Sequence, residues 1–156
     1  MTDRDDKCEN RIDQELKRTV ADIKIALQTG RLLDNLGQDN VDDAKECILQ
    51  ARWDRLFSKD EAREYWDILK ANPDGETPDS WREGLLSIDK LPVQYRVQMS
   101  WGGPGDEFIV TIEGRDITEI SYRFMDWFDG ASRQLHGIDF ETVKEMLEGL
   151  YFEEAE

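Results

Sequence analysis

The stretch VQYRVQMSWGGPGDEFIVTIEGRDITEISYRF, residues 93–124, changes the hydrophobic period of the chain and decides its fold class. Its first nine residues alternate between apolar and polar, which predicts a half-buried strand with one polar face. A turn follows at 102–105, and a second strand begins at about Phe108. Gly114-Arg115 suits a two-residue hairpin loop, because glycine takes the positive φ that such loops need. With a third strand after this loop, the stretch predicts a three-stranded antiparallel meander.

The chain before this stretch has the period of a helix. One apolar stripe with spacings of three and four predicts a first helix from about residue 10: Ile12, Leu16, Val20, Ile23 and Leu27. Gly30 is a plausible end for that helix. We therefore interpret Leu32, Leu33 and Leu36 as an apolar connection between helices.

Three further helices are predicted from their start signals. Asp39 or Asn40 caps a second helix, and Ser58 with Glu61 fits a capping box that opens a third. Thr77-Pro78 combines an N-cap with proline at the first helical position, which predicts a short fourth helix. The first part of the chain thus carries three long helices and one short one.

The last helix follows the sheet. Ile138 and Val143 flank Asp139, as in a hydrophobic staple around an N-cap. The whole order, helices, then a three-stranded antiparallel meander, then a C-terminal helix, is an α+β arrangement.

The predicted organisation has four segments. Residues 1–9 are a disordered N-terminus, and 10–88 are the helical part. Residues 89–152 form the sheet with its helix, packed with the helical part as one unit, and 153–156 are an acidic tail.

The charge limits the partners. The 156 residues include 36 acidic and 20 basic ones, a formal net charge of −16. Such a surface repels nucleic acid phosphates and anionic lipid, so we expect a protein partner with a basic surface, no direct nucleic acid contact and no membrane. The N-terminus has no apolar signal segment, and the two cysteines, Cys8 and Cys47, fit a cytoplasmic protein with free thiols.

The motifs of common catalytic and metal sites are incomplete. Asn72 and Glu83 have the spacing of calcium-loop positions 1 and 12, but Thr77 stands where the loop requires glycine. His136 is the only histidine, and we interpret it as a solvated loop residue. We therefore expect no enzyme, no catalytic or metal-ligating residue and no cofactor.

Two adjacent aromatic residues, Trp127 and Phe128, break the strand alternation just before Asp129-Gly130, which we expect to end the third strand. Either both are buried under the last helix, or they form an exposed aromatic anchor ringed by carboxylates. The acids and aromatics suited to a binding surface form two groups. The candidate interface residues are Asp39, Asp42, Asp43 and Glu46 in the first group, and Trp101, Asp106, Glu107, Asp126, Trp127, Phe128 and Asp129 in the second.

Two segments carry a resemblance. These are Trp101-Gly102-Gly103-Pro104-Gly105-Asp106 and Tyr122-Arg123-Phe124-Met125-Asp126-Trp127-Phe128-Asp129-Gly130-Ala131. Together they resemble small acidic uncharacterised proteins of microbial genomes and mobile elements, over residues 93–152. The resemblance implies no activity and no site residue.

Three functions remain open. The first is a non-catalytic inhibitor of a basic, nucleic-acid-binding partner, of the anti-restriction or anti-CRISPR type, whose carboxylates imitate nucleic acid phosphates. The second is a toxin-immunity protein or an assembly subunit, whose contacts survive high salt. The third is a salt-adapted housekeeping domain, in which the acidity is a general adaptation.

Overall fold

The computed structural model describes residues 7–53, 57–90, 94–101, 104–150 and 152. Gly102 and Gly103 of the predicted turn and the predicted acidic tail lie outside these residues. Of the predicted N-terminal segment 1–9, the first six residues lie outside them too, while Cys8 and Glu9 are helical.

The described residues form an α+β fold with five helices and one five-stranded antiparallel sheet. The helices are α1 (Cys8–Leu36), α2 (Val41–Trp53), α3 (Lys59–Lys70), α4 (Pro78–Glu83) and α5 (Gly137–Glu148). The strands are β1 (Ser87–Lys90), β2 (Tyr95–Gln98), β3 (Gly105–Glu113), β4 (Asp116–Asp126) and β5 (Asp129–Gln134). Each strand pairs with the next in sequence, in the order β1-β2-β3-β4-β5.

The predicted three-stranded meander is wrong, because the sheet has an additional strand on each side. β1 is four residues long and holds a single large apolar residue, Ile88, so no alternation marks it. β5, with the sequence DGASRQ, has no large apolar residue, because it is an edge strand whose side chains are exposed or half-buried. Asp129-Gly130 therefore starts β5 instead of ending the sheet.

The prediction of three long helices is also wrong, since one helix of 29 residues precedes two of 13 and 12. Gly30 does not end α1, which continues to Leu36. A Cβ at Gly30 would lie 2.8 Å from the Cδ of Pro78, so the glycine allows close approach of α4. Leu32 and Leu33, interpreted above as a connection, are buried helical residues.

Several helix starts follow their sequence signals. The capping box of α3 is confirmed, with the Glu61 amide donating to Ser58 Oγ at 3.1 Å and the Ser58 amide to Glu61 Oε2 at 2.9 Å. Asn40 Oδ1 accepts from the Asp43 amide at 2.9 Å at the start of α2. The staple at α5 is wrong, because α5 begins at Gly137 and Ile138 is 80% exposed.

The chain divides into two compact units. The first unit contains residues 1–21 and 82–156, and the second contains 22–81, so the division falls within α1 and within α4. In the first unit, Tyr122 and Phe108 are fully buried, and the centroids of their rings lie 5.6 Å apart. The core of the second unit consists of Leu32, Leu33, Ala44, Ile48, Ala62 and Leu69.

Among the described residues, no helix combines the length and the apolar composition needed to cross a membrane. The longest, α1, carries charged residues along its whole length.

Candidate functional site

The turn between β4 and β5 consists of only two residues, Trp127 and Phe128. Asp126 and Asp129 are paired directly across the two strands, which leaves the two aromatic residues at the tip of the hairpin. Trp127 is 82% exposed and Phe128 is fully exposed. Of the two alternatives for these rings, burial under the last helix is therefore wrong.

Trp127 also has an unusual backbone conformation. Its φ is +52°, and among the described residues it alone has a positive φ without being glycine. Two-residue hairpin loops with a positive φ at their first residue normally place glycine there. For a bulky side chain this conformation costs on the order of 1 kcal/mol, and such strain concentrates at functional sites.

A third exposed aromatic residue lies at the same end of the sheet. β3 begins at Gly105, which pairs with Met125 near the end of β4. The loop before β3 and the β4–β5 turn therefore lie at one end of the sheet, and Trp101 in that loop is 71% exposed. We call Trp101, Trp127 and Phe128 the aromatic end.

The carboxylates on either side of the tip attach the hairpin to the start of α1. Asp126 Oδ2 accepts from Arg11 Nη1 at 2.9 Å, and the Arg11 guanidinium lies 4.9 Å from the centre of the Phe124 ring. Asp129 Oδ2 accepts from the backbone amide of Cys8 at 2.7 Å, which caps the first turn of α1. This hydrogen bond lowers the pKa of the Asp129 carboxyl below its usual value.

A third connection joins β5 to α1. Arg133 donates from Nη2 to Glu9 Oε1 at 2.7 Å and from Nε to Asp13 Oδ1 at 3.0 Å. The hairpin is thus held to α1 by Arg11, Arg133 and the Cys8 amide. These partners cannot be predicted from the sequence, because they lie more than 110 positions from the hairpin residues and no local pattern links them.

Asp106 and Glu107 are less available than predicted. Asp106 accepts from Ser100 Oγ at 2.6 Å and from the Tyr122 hydroxyl at 2.9 Å. Burial, and then the Asp106 charge, raise the pKa of Tyr122, so this hydroxyl keeps its proton at neutral pH. Asp106 remains half-buried beside the aromatic end.

Glu107 is a correction to the candidate interface, because it is only 4% exposed. It points to the opposite face of the sheet from Asp106 and lies between two arginines of neighbouring strands. Arg123 Nη1 is 3.1 Å from Glu107 Oε1, and Arg96 Nε is 3.8 Å from Glu107 Oε2. Arg96 also donates to Asp89 at 2.8 Å and lowers the pKa of that carboxyl. This face carries a row of alternating charges that stabilises the sheet.

The first group of candidate acids belongs to the second unit and is described separately. Asp39, Asp42, Asp43 and Glu46 are all exposed. Asp42 and Asp43 occupy the first turn of α2, where acidic side chains stabilise a helix. Asp43 accepts a further hydrogen bond from Asn40 at 2.7 Å. Helix formation thus accounts for two of these acids.

The candidates for metal and catalytic chemistry have structural explanations. Asn72 is buried and donates to Thr29 Oγ1 at 2.9 Å and to the Glu76 carbonyl at 2.7 Å, which organises the turn after α3. His136 is exposed at the start of α5. Within the described ranges, no three His, Cys, Asp or Glu residues lie close enough to hold a metal ion, and Cys8 and Cys47 are not paired.

A groove between α2 and α3 is another surface with exposed apolar side chains. It contains the exposed side chains of Leu49 and Trp66. Its charged lining residues are balanced, with two basic and two acidic ones: Lys59, Arg63, Asp60 and Asp67. The groove therefore favours neither a basic nor an acidic partner.

No protein-family model matches the chain, and no curated protein and no solved structure is similar to it. The resemblance of residues 93–152 to small acidic proteins of microbial genomes and mobile elements stays a prediction. The site is thus defined by its geometry: three exposed aromatic residues at one end of a sheet, with carboxylates held beside them.

Proposed function

We propose that the chain is a non-catalytic binding protein that inhibits a basic, nucleic-acid-binding protein by docking its aromatic end onto that partner. The observation that carries this proposal is the exposure of Trp127 and Phe128 at a hairpin tip whose base is held to α1. Large aromatic side chains are the residues most often found as energetic anchors of protein interfaces.

The charge supports a basic partner. The first unit, which carries the aromatic end, has 22 acidic and 12 basic residues. A field of this sign attracts a positively charged surface and accelerates association with it. It opposes contact with nucleic acid and with anionic lipid. A cytoplasmic setting, where nucleic-acid-binding proteins are abundant, fits this partner.

The exposed acids support inhibition by imitation of nucleic acid. Asp39, Asp42, Asp43 and Glu46 present carboxylates along one part of α2 and the residues before it. Carboxylates in such an array pair with the arginines and lysines that normally hold phosphates. Proteins of the anti-restriction and anti-CRISPR type work in this way, and this is the class that we propose.

One observation also favours the second candidate, a toxin-immunity protein or assembly subunit. Contacts made by Trp101, Trp127 and Phe128 are apolar, so salt does not screen them. A partner that is retained at high salt and does not bind nucleic acid would favour this candidate.

The test is capture followed by competition. The immobilised chain is exposed to the heparin-binding protein fraction of the source cells, at low and at high salt, beside the variants W127A/F128A and Ile138→Ala. Ile138 is a matched control, because it is an exposed apolar residue that follows the far end of β5. We expect the wild type and Ile138→Ala to retain the same protein and W127A/F128A to lose it.

The captured protein is then purified, and its binding to nucleic acid is measured with and without the chain. We expect the chain to displace the nucleic acid. A captured protein that does not bind nucleic acid, or equal capture by W127A/F128A, would contradict the proposal.

A further inference from the structure

We infer that the aromatic end binds arginine side chains in preference to lysine side chains. This inference rests on the proposed function and describes its basic partner at the level of the side chain: the partner presents an arginine-rich segment. It is carried by the combination of exposed rings with carboxylates that are oriented before binding.

The rings provide flat, accessible surfaces. Trp101 and Trp127 are 71% and 82% exposed, so their indole faces are open to a ligand. A guanidinium is planar and weakly hydrated, and it stacks on an aromatic face, whereas an ammonium is compact and strongly hydrated. Tryptophan is the best aromatic partner for a cation.

The carboxylates provide the second half of the site. Asp126 and Asp129 lie on either side of the two tip residues, and each contacts α1 through its Oδ2 atom. A carboxylate accepts several hydrogen bonds, so each keeps acceptor capacity for a ligand. The fork of an arginine matches a carboxylate better than the single ammonium of a lysine does.

The connections to α1 reduce the cost of binding. Arg11, Arg133 and the Cys8 amide hold the hairpin before any ligand arrives. A site that is already ordered loses less conformational freedom on binding, which favours affinity.

Charge argues against the other occupants of such a surface. Two copies of this chain each carry a net charge of −16 and repel one another. Nucleic acid bases stack on exposed aromatic residues, but the net charge of −16 on the chain repels the phosphates. Anionic lipid is opposed in the same way, so a cationic protein segment is the occupant that the local chemistry fits.

The test compares two peptides of equal charge, fluorescein-labelled nona-arginine and nona-lysine. Their binding to the full chain is measured by fluorescence anisotropy at physiological salt. Since net charge attracts both peptides equally, a difference in Kd reports the guanidinium. We expect nona-arginine to bind roughly threefold to fivefold more tightly.

Two variants show whether Trp127 and Phe128 cause the preference for nona-arginine. In W127A/F128A we expect the preference for nona-arginine to become smaller, because Trp101 and the two carboxylates remain, while Ile138→Ala keeps the wild-type preference. Thermal unfolding followed by circular dichroism checks that both variants are folded. Equal binding of the two peptides to the wild type, or a preference in W127A/F128A as large as that of the wild type, would overturn the inference.

A lipid outcome is tested with phosphatidylcholine vesicles. Vesicle binding that W127A/F128A abolishes, without any preference for nona-arginine, would assign the tip to a membrane surface and overturn the inference. The proposed function is tested separately. If the tip captures a nucleic-acid-binding protein but shows no preference for arginine, only the inference is contradicted. If the tip prefers arginine but captures no nucleic-acid-binding protein, only the proposed function is contradicted.

Discussion

The two hairpin turns of β4 have the same length and opposite chemistry. Gly114-Arg115 joins β3 to β4, and Trp127-Phe128 joins β4 to β5; both are two-residue loops. The first residue of each has a positive φ, +65° at Gly114 and +52° at Trp127. Glycine adopts this conformation freely, whereas tryptophan does so at a cost.

The difference separates a turn whose residues suit the backbone from one that we propose takes part in binding. At the β3–β4 turn, the residue types are those that the backbone prefers. At the β4–β5 turn, Trp127 has an unfavourable backbone conformation, and burial of its side chain does not offset this cost because the side chain is exposed. We propose that contact with a ligand compensates for this cost, and exchanging the two turn sequences tests the proposal.

The largest effect is expected when the β4–β5 turn takes the sequence of the β3–β4 turn. In W127G/F128R, partner binding should weaken by about 2 kcal/mol or more, roughly thirtyfold, because the aromatic anchors are lost. The measurement is the Kd for the captured nucleic-acid-binding protein. W127A/F128A must show the same loss, since otherwise the added arginine charge would be the cause.

Placing the Trp-Phe sequence of the β4–β5 turn in the β3–β4 turn should lower the stability of the fold. In G114W/R115F, tryptophan replaces glycine at φ +65°, and the free energy of unfolding should fall by about 1–2 kcal/mol. Denaturant unfolding measures it. Gly114→Ala, which adds only a Cβ, separates the cost of the backbone from that of the large side chain. Unchanged stability in both variants would contradict the argument that Trp127 is strained.

A smaller effect is expected from relief of the strain. In W127G the free energy of unfolding should rise by about 1 kcal/mol, which corresponds to about 2–4 °C in Tm for a chain of this size. Little packing is lost, because the side chain is 82% exposed. Phe128→Gly serves as the matched control, because Phe128 is fully exposed but has no positive φ. A lower Tm in W127G than in Phe128→Gly would contradict the prediction.

The smallest effect concerns the attachment of the hairpin to α1. The hydrogen bond from the Cys8 amide lowers the pKa of Asp129 in the folded chain. The ionised Asp129 carboxylate therefore stabilises the fold in full above the unfolded pKa, about 3.9, and this stabilisation is lost as the pH falls through the folded pKa. Asp129→Asn should therefore have a lower Tm than the wild type at pH 7. The two Tm values should converge as the pH falls through the folded pKa of Asp129, which lies below the unfolded value, and a difference that is independent of pH would rule out this ionisation as the cause.

Structural features that depend on a few neighbouring residues could be predicted from the sequence. The capping box at Ser58 and Glu61 and the loop at Gly114-Arg115 are confirmed, because a few neighbouring residues are enough to form them. Gly30 was misinterpreted as a helix end, because its role is to make room for the distant Pro78. β5 was missed because an exposed edge strand needs no apolar alternation.

The aromatic end was predicted only in part, for the same reason. The adjacency of Trp127 and Phe128 indicated an irregularity, but the choice between burial and exposure depended on β5, which no pattern revealed. Glu107 was misassigned because its burial depends on Arg96 and Arg123, which the strand register brings beside it.

The composition of β5 has a consequence for aggregation. An exposed strand edge is a template on which another chain can add a strand, and long apolar edges are the most hazardous. β5 is only six residues long and contains Gly130, Ser132 and Arg133 in place of large apolar residues. Arg133 is held by two carboxylates of α1, so a charge is fixed at this edge. The chain can therefore display aromatic side chains at the end of its sheet while this edge resists fibril-like growth.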